Sequence, residues 1–252
     1  HARMWYASIW IHTLKLPWQL GADWFLRNLL DGDPASNTLS WRWVAGLHTR
    51  GKSYLARRDN ILKYTENRFK VDVSLAKEAI SVEHIDYPSP DTLEKFPIIP
   101  KGKRLGLLVT LEDLSAVDWL DKKADTVAQA GYFPLDVYKK HNMAPSVIKF
   151  HQDSMINQMD KSMPIFIDQD AAKILEWVRA ESLDGIIIAE PPIGPTNTSL
   201  NSLIDKLKLA CITFYRDRHW WDETLYPYAT HGFFRFKKAI PYAISRIKMS
   251  LQ

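Results

Sequence analysis

The hydrophobic positions of this chain follow two different rhythms, and the rhythm changes near residue 100. Trp5, Ile9, His12 and Leu16 recur at i, i+4, i+7 and i+11, which lays one face along a helix, and Pro17 ends it because proline cannot continue the backbone ladder. Ala22 to Leu30 offers Trp24, Phe25 and Leu29 at helical spacing and is closed by Asp31-Gly32. Asp31-Gly32-Asp33-Pro34 predicts a turn, after which Ser36 or Asn37 caps a new helix by accepting a backbone N–H. A third short helix is expected over Trp41 to Leu47, followed by a loop at Thr49 to Ser53. Two residues at about 100° each put Trp41 and Trp43 on opposite faces of that helix. Everything to about Arg68 reads as helix and loop.

From Ile85 to Arg104 the pattern lapses. Pro88, Pro90, Pro97 and Pro100 resist helix and central strand alike, so a semi-extended linker is expected. Beyond it, Leu105–Leu111, Pro164–Asp168, Gly185–Ala189 and Ala210–Tyr215 are short apolar runs of the kind that form buried parallel strands. Helical patterns over Ser115–Ala130, Ala144–Met159, Asp170–Glu181 and Leu200–Leu209 alternate with them. The expected fold class is α+β: an all-α segment over 1–84, a linker over 85–104, and an α/β layered domain with a mostly parallel sheet over 105–252.

Composition narrows the field. A hydrophobic share of 46% over 252 residues supports substantial cores, and a formal charge of +4 permits an acidic partner without requiring one. Cys211 is the single cysteine, which excludes an internal disulfide and suits a reducing compartment, with the cytoplasm as the default. Asp, Lys, Arg or His interrupts each apolar run before it reaches the length of a membrane span, so no membrane partner is expected. His1-Ala2-Arg3-Met4 leads straight into a helical pattern with no signal peptide, as in a piece of a longer polypeptide or a chain shortened upstream.

Candidate chemistry is unevenly spread. In an open α/β sheet, ligands bind outside the carboxyl ends of the strands, here Glu112 and Asp113, Glu190 to Pro195, and Arg216 to His219. No dinucleotide or phosphate-loop motif stands there. His219, Asp222 and Glu223 match no metal signature, so no metal is expected, and Cys211 reads as a small apolar residue inside a strand. The first half is richer. Leu30 to Trp43 combines two carboxylates, an amide and two indoles, and six of the ten tryptophans lie between Trp5 and Trp43. Each alone reads as core; together they point to a planar aromatic cofactor.

Arg3-Met4-Trp5-Tyr6-Ala7-Ser8, Leu16-Pro17-Trp18, Trp24-Phe25, Leu30 to Asn37 and Trp41-Arg42-Trp43-Val44-Ala45-Gly46 resemble, in order and spacing, the C-terminal part of the FAD-binding helical domain of the DNA photolyase/cryptochrome family. The likeness covers roughly residues 1 to 70. It implies that Arg3 pairs with Asp31 beside the isoalloxazine, that Asp33 and Ser36 belong to the cofactor-binding set, and that Asn37 sits against the flavin and tunes its protonation. It also implies Trp41 as proximal electron donor, Trp18 as the next link, and Met4 and Trp43 at the cavity for a flipped pyrimidine dimer.

By that resemblance the chain is part of a blue-light FAD flavoprotein in which electron transfer from reduced FAD splits a pyrimidine dimer in DNA. The rival readings are a cryptochrome-like receptor without repair activity and a flavin-less assembly module. Damaged DNA is the expected partner, with Arg50, Lys52, Arg57, Arg58, Lys63 and Arg68 as candidate phosphate contacts. An upstream segment is expected to complete the FAD site. Family antenna domains precede the helical domain, whereas this α/β segment follows it; residues 222–241 resemble the end of such a domain, and any second chromophore is unidentified. Thr38-Leu39-Ser40 and His1 depart from the commoner family residues.

Overall fold

The structure is a computed structural model that describes residues 1–49, 52–83, 89, 91–160, 162–230 and 232–250, with backbone alone for the last three. Contacts divide the chain into two compact units, His1–Tyr87 with Lys139–Phe150, and Pro88–Tyr138 with His151–Gln252. Of the linker expected over 85–104, residues 85–88 and 90 lie outside the described residues, and the described remainder forms no helix or strand.

The first unit is helical. Helix α1 (Ala2–Ser8) passes directly into a π-helical turn (Ile9–Thr13), and α2 (Trp18–Asn28), α3 (Pro34–Val44) and α4 (Arg58–Tyr64) follow. The first helix therefore ends three residues before the expected Leu16, which is exposed, and its buried face is Ala7, Ser8, Ile11 and His12. The wide π turn resets the facing of the residues after it. Lys15, in a left-handed conformation at φ 57°, follows the end of that helix, and Pro17 stands at the N-terminus of α2, which begins earlier than Ala22. Helix α3 likewise begins at Pro34 rather than after Ser36 or Asn37. Pro34 has the φ a first helical residue needs, and the Asp33 carboxylate caps the end by accepting the Ser36 N–H at 2.5 Å. Gly46 at φ +82° follows the end of α3 at Val44, short of Leu47.

The core of this unit is Ala7, Ile11, Ala22, Trp41, Val44, Ala45 and Leu47. Two buried polar side chains tie distant segments to it. His12 accepts the Ile80 N–H at Nδ1 (3.2 Å), so its Nε2 carries the proton donated to the Val44 carbonyl (3.1 Å). The Ser8 hydroxyl accepts the Ala56 N–H at 2.7 Å.

The rest of the chain runs β1 (Leu105–Thr110), α5 (Ala116–Ala124), β2 (Ala128–Phe133), α6 (Leu135–Lys140), α7 (Pro145–Gln158), β3 (Ile165–Ile167), α8 (Ala171–Ala180), β4 (Gly185–Ala189), α9 (Pro195–Leu209), β5 (Thr213–Asp217), α10 (Trp220–Leu225) and α11 (Phe233–Ser250). The five strands form one parallel sheet in the order β3-β2-β1-β4-β5. Leu108, Tyr132, Phe166, Ile186 and Ile188 pack with α8 and α9 in its main core. Strand β2 corrects the expected helix over Ser115–Ala130. That helix stops at Ala124, Asp125 takes a left-handed conformation (φ 50°), and the alanine-rich stretch that follows joins the sheet beside β1. Gly131 belongs in β2 because a Cβ there would meet the Met155 sulfur at 2.9 Å. Helix α9 starts at Pro195 rather than Leu200, again with proline at its first position. Strand β5 lies later than expected, so Cys211 is not buried in a strand: it is exposed in a turn at φ 62°. Among the described residues, no helix is long and apolar enough to cross a membrane.

Candidate functional site

The polar stretch of the first unit gathers at one end of three helices. Arg3, from the first turn of α1, meets Asp31 in the α2–α3 loop through two parallel hydrogen bonds of 3.0 and 2.9 Å, a fork-to-fork pair joining residues 28 apart. The Arg3 guanidinium holds the Asp31 carboxyl below the ordinary carboxylate range. Gly32 allows the loop to turn there, since a Cβ would come within 2.9 Å of the Leu26 carbonyl. Asp33 is committed to capping α3. Ser36 is exposed in the first turn of α3, and Asn37 is half-buried, its Nδ2 donating to the Ala22 carbonyl at 2.7 Å. That bond orients the amide and leaves Oδ1 as the atom Asn37 can offer a ligand.

Behind this rim stands an aromatic cage. Trp41 is 2% exposed and is met edge-on by Phe25 (5.1 Å), Tyr6 (6.3 Å) and Trp10 (6.4 Å). The Trp10 indole donates to the Pro17 carbonyl at 2.9 Å, and Trp18 packs against the same core with the Arg42 guanidinium 5.9 Å from its ring. Trp43, on the opposite face of α3 as its spacing requires, is 39% exposed and stacks on Tyr54 at 5.6 Å. Met4 is half-buried near the start of α1. Tyr6 and Trp10 join Trp41 without belonging to any of the candidate site residues. Their i, i+4 spacing on one helix face was the available signal.

Residues 1–74 match the family model described as the FAD binding domain of DNA photolyase. This segment is therefore similar to the FAD binding domain of DNA photolyase, and the match extends over less than a third of the chain. It is 35% identical over 106 residues to a deoxyribodipyrimidine photo-lyase of Streptomyces griseus, an alignment covering 35% of this chain and 23% of that protein. A deoxyribodipyrimidine photo-lyase of Agrobacterium fabrum is 50% identical over 44 residues (18% and 9% of the two chains), and a cryptochrome DASH of Idiomarina loihiensis 37% over 60 residues (24% and 13%). The chain thus spans less than a quarter of the length of these relatives. No solved structure matches it at comparable significance.

FAD is accordingly the cofactor of this domain type, and the residues present suit one edge of it. A flavin ring system has polar edges and an apolar face. The Arg3–Asp31 fork, the Ser36 hydroxyl and the fixed Asn37 amide supply hydrogen-bonding groups for the former, at the positive end of α3 where electron-rich groups are favoured.

The basic residues expected to face DNA are exposed where described. Lys52, Arg57, Arg58, Lys63 and Arg68 all reach solvent, Arg57 lying 3.6 Å from Asp59, while Arg50 lies outside the described residues. His1 stacks on Tyr64 at 4.0 Å.

In the second unit the carboxyl ends of the strands hold partners for one another. Asp113 accepts from Ser115 and from the Trp119 indole, and Glu190 pairs with Arg216 at 3.0 Å. Arg218 donates to the Glu94 carbonyl and lies 4.9 Å from the Phe96 ring. His219 accepts the Trp221 N–H as the cap of α10. Among the described residues, no group of three or more His, Cys, Asp or Glu could hold a metal ion. Burial pushes the Tyr132 phenol up to about 12, and its hydroxyl shares a 2.8 Å hydrogen bond with Ser199.

Proposed function

We propose that this chain is the flavin-contacting part of a blue-light, FAD-dependent photolyase-like flavoprotein that transfers an electron from reduced FAD to a pyrimidine dimer in DNA. The carrying observation is the juxtaposition of the Arg3–Asp31 fork and the oriented Asn37 amide with the caged Trp41, all within one helical unit. When bound, FAD supplies blue-light absorption and one-electron chemistry.

The chain's own residues then divide the work. Arg3 and Asp31 hold each other in one geometry, so neither charge must reorganise on binding. Asp33 fixes the α2–α3 loop, and Ser36 completes the polar edge. Asn37 would offer its Oδ1 as an acceptor to the polar edge of the bound flavin. Trp41 is the proximal donor, with Trp18 next; their shared core excludes water that would trap charge. Met4 and Trp43 receive the flipped lesion, whose extrusion costs less than that of an intact base. Damaged DNA is the partner, met in part by Arg57, Arg58 and Lys63. The proposed boundaries of the flavin segment and the linker fall near 84 and 104.

The test is blue light on the full-length protein with an ultraviolet-irradiated oligonucleotide. Dimers that disappear under light and persist in the dark support repair. Flavin photoreduction without dimer loss supports the second reading, a cryptochrome-type receptor, which is favoured by the relative named cryptochrome DASH. Absence of any flavin from the full-length protein contradicts both and leaves the flavin-less module.

A further inference from the structure

We propose that α11 and the aromatic turn before it form a surface for single-stranded nucleic acid, with bases stacking on Phe234 and Tyr242 and phosphates meeting Arg235, Lys238 and Arg246. This inference does not rest on the flavin reading, because every residue it uses lies in the second unit.

The sequence of α11 contains Arg235, Lys237, Lys238, Arg246 and Lys248 and no acid. Its apolar face is already committed: Ala243 and Ile247 are buried, and Phe236 and Ile240 are half-buried on the same side. The opposite side carries Phe234, Lys238 and Tyr242 at i, i+4 and i+8, two rings about 12 Å apart along the axis with a cation between them. Phe234 is 81% exposed and Tyr242 57%. Tyr228 stands edge-on to Tyr242 at 6.1 Å, and the two phenols raise the pKa of Arg246, so this end of the surface is organised without ligand. Phe233 braces Phe234 at 5.9 Å. Among the described residues, no ion pair engages Arg235, Lys237 or Lys238.

Exposed rings interleaved with cations suit a partner that is both anionic and planar, and unpaired bases are that partner. A bilayer fits less well, since an interfacial helix must bury its apolar face in lipid and this one has spent that face on the protein. Duplex DNA offers the phosphates but hides the base faces.

The experiment uses the full chain with fluorescent oligothymidylate, a matched duplex, and phosphatidylserine/phosphatidylcholine vesicles. Oligothymidylate is expected to bind. Phe234→Ala and Tyr242→Ala are each expected to weaken it roughly 5- to 100-fold, and Phe234→Trp to preserve it. Lys238→Gln is expected to flatten the dependence on salt by about 0.7 in the log–log slope. Circular dichroism of the Phe234 variants checks that the fold is intact. Three outcomes overturn the proposal: oligothymidylate binding that Phe234→Ala leaves unchanged, binding lost only on substituting Arg57 and Arg58 of the first unit, or vesicles bound in place of the oligonucleotide.

Discussion

Gly21 lies flat against Trp41, and a β-carbon at Gly21 would overlap the six-membered ring of the indole. The seat of the proposed electron donor is therefore set by α2 as much as by α3. Gly21→Ala is expected to cost about 1–3 kcal/mol through overpacking, a gain in helix propensity notwithstanding. Thermal unfolding checks the cost, and near-ultraviolet circular dichroism should change with the indole's surroundings.

His12 bridges the end of α3 and the backbone at Ile80. Replacing it with phenylalanine keeps the bulk, strands the Ile80 N–H and leaves the Val44 carbonyl with the Tyr54 N–H alone, so His12→Phe is expected to destabilise the first unit by about 1–3 kcal/mol. Denaturant titration measures this.

Much of this arrangement is visible in the sequence, and the parts that are not have identifiable causes. The opposite facing of Trp41 and Trp43 follows from helix geometry alone, and the parallel-strand runs at β1 and β4 are unbroken stretches of apolar residues. Asp33, Ser36 and Asn37 are all good caps for the start of α3, and Pro34 decides among them by occupying the first helical position. Strand β2 was hidden because Ala128, Gln129 and Ala130 have helical habits, and its sheet neighbours override them. The Arg3–Asp31 fork bridges 28 residues, a distance no local periodicity encodes.

The Asp31 carboxyl is held below its ordinary 3.8 by the hydrogen bond from Arg3. A depressed folded-state value means the stabilisation is present above the unfolded-state value and is lost as the pH falls through the folded one. Carbon NMR titration of Asp31 should show a midpoint below 3.8 that returns to the ordinary range in Arg3→Gln. Because both side chains are largely exposed, Arg3→Gln should change stability at neutral pH by less than about 1 kcal/mol.

Tyr132 makes the opposite case. Its phenol, buried in the sheet core, is pushed from 10.0 to about 12, so the neutral form is favoured by folding. The stabilisation is complete below pH 10.0 and is lost as the pH rises toward 12. Tyr132→Phe removes that alkaline loss and leaves the Ser199 hydroxyl unpaired, at a cost of about 1 kcal/mol. Unfolding followed across alkaline pH separates the two effects.

The central claim is that the Asp31–Asn37 rim is one wall of a flavin site. Its most direct test is FAD affinity of the full-length protein, read from quenching of flavin fluorescence, in the wild type and in Asp31→Asn and Asn37→Ala. Binding that weakens roughly tenfold or more in each variant, with folding unchanged by circular dichroism, is the expected result. Equal FAD affinity in all three proteins contradicts it.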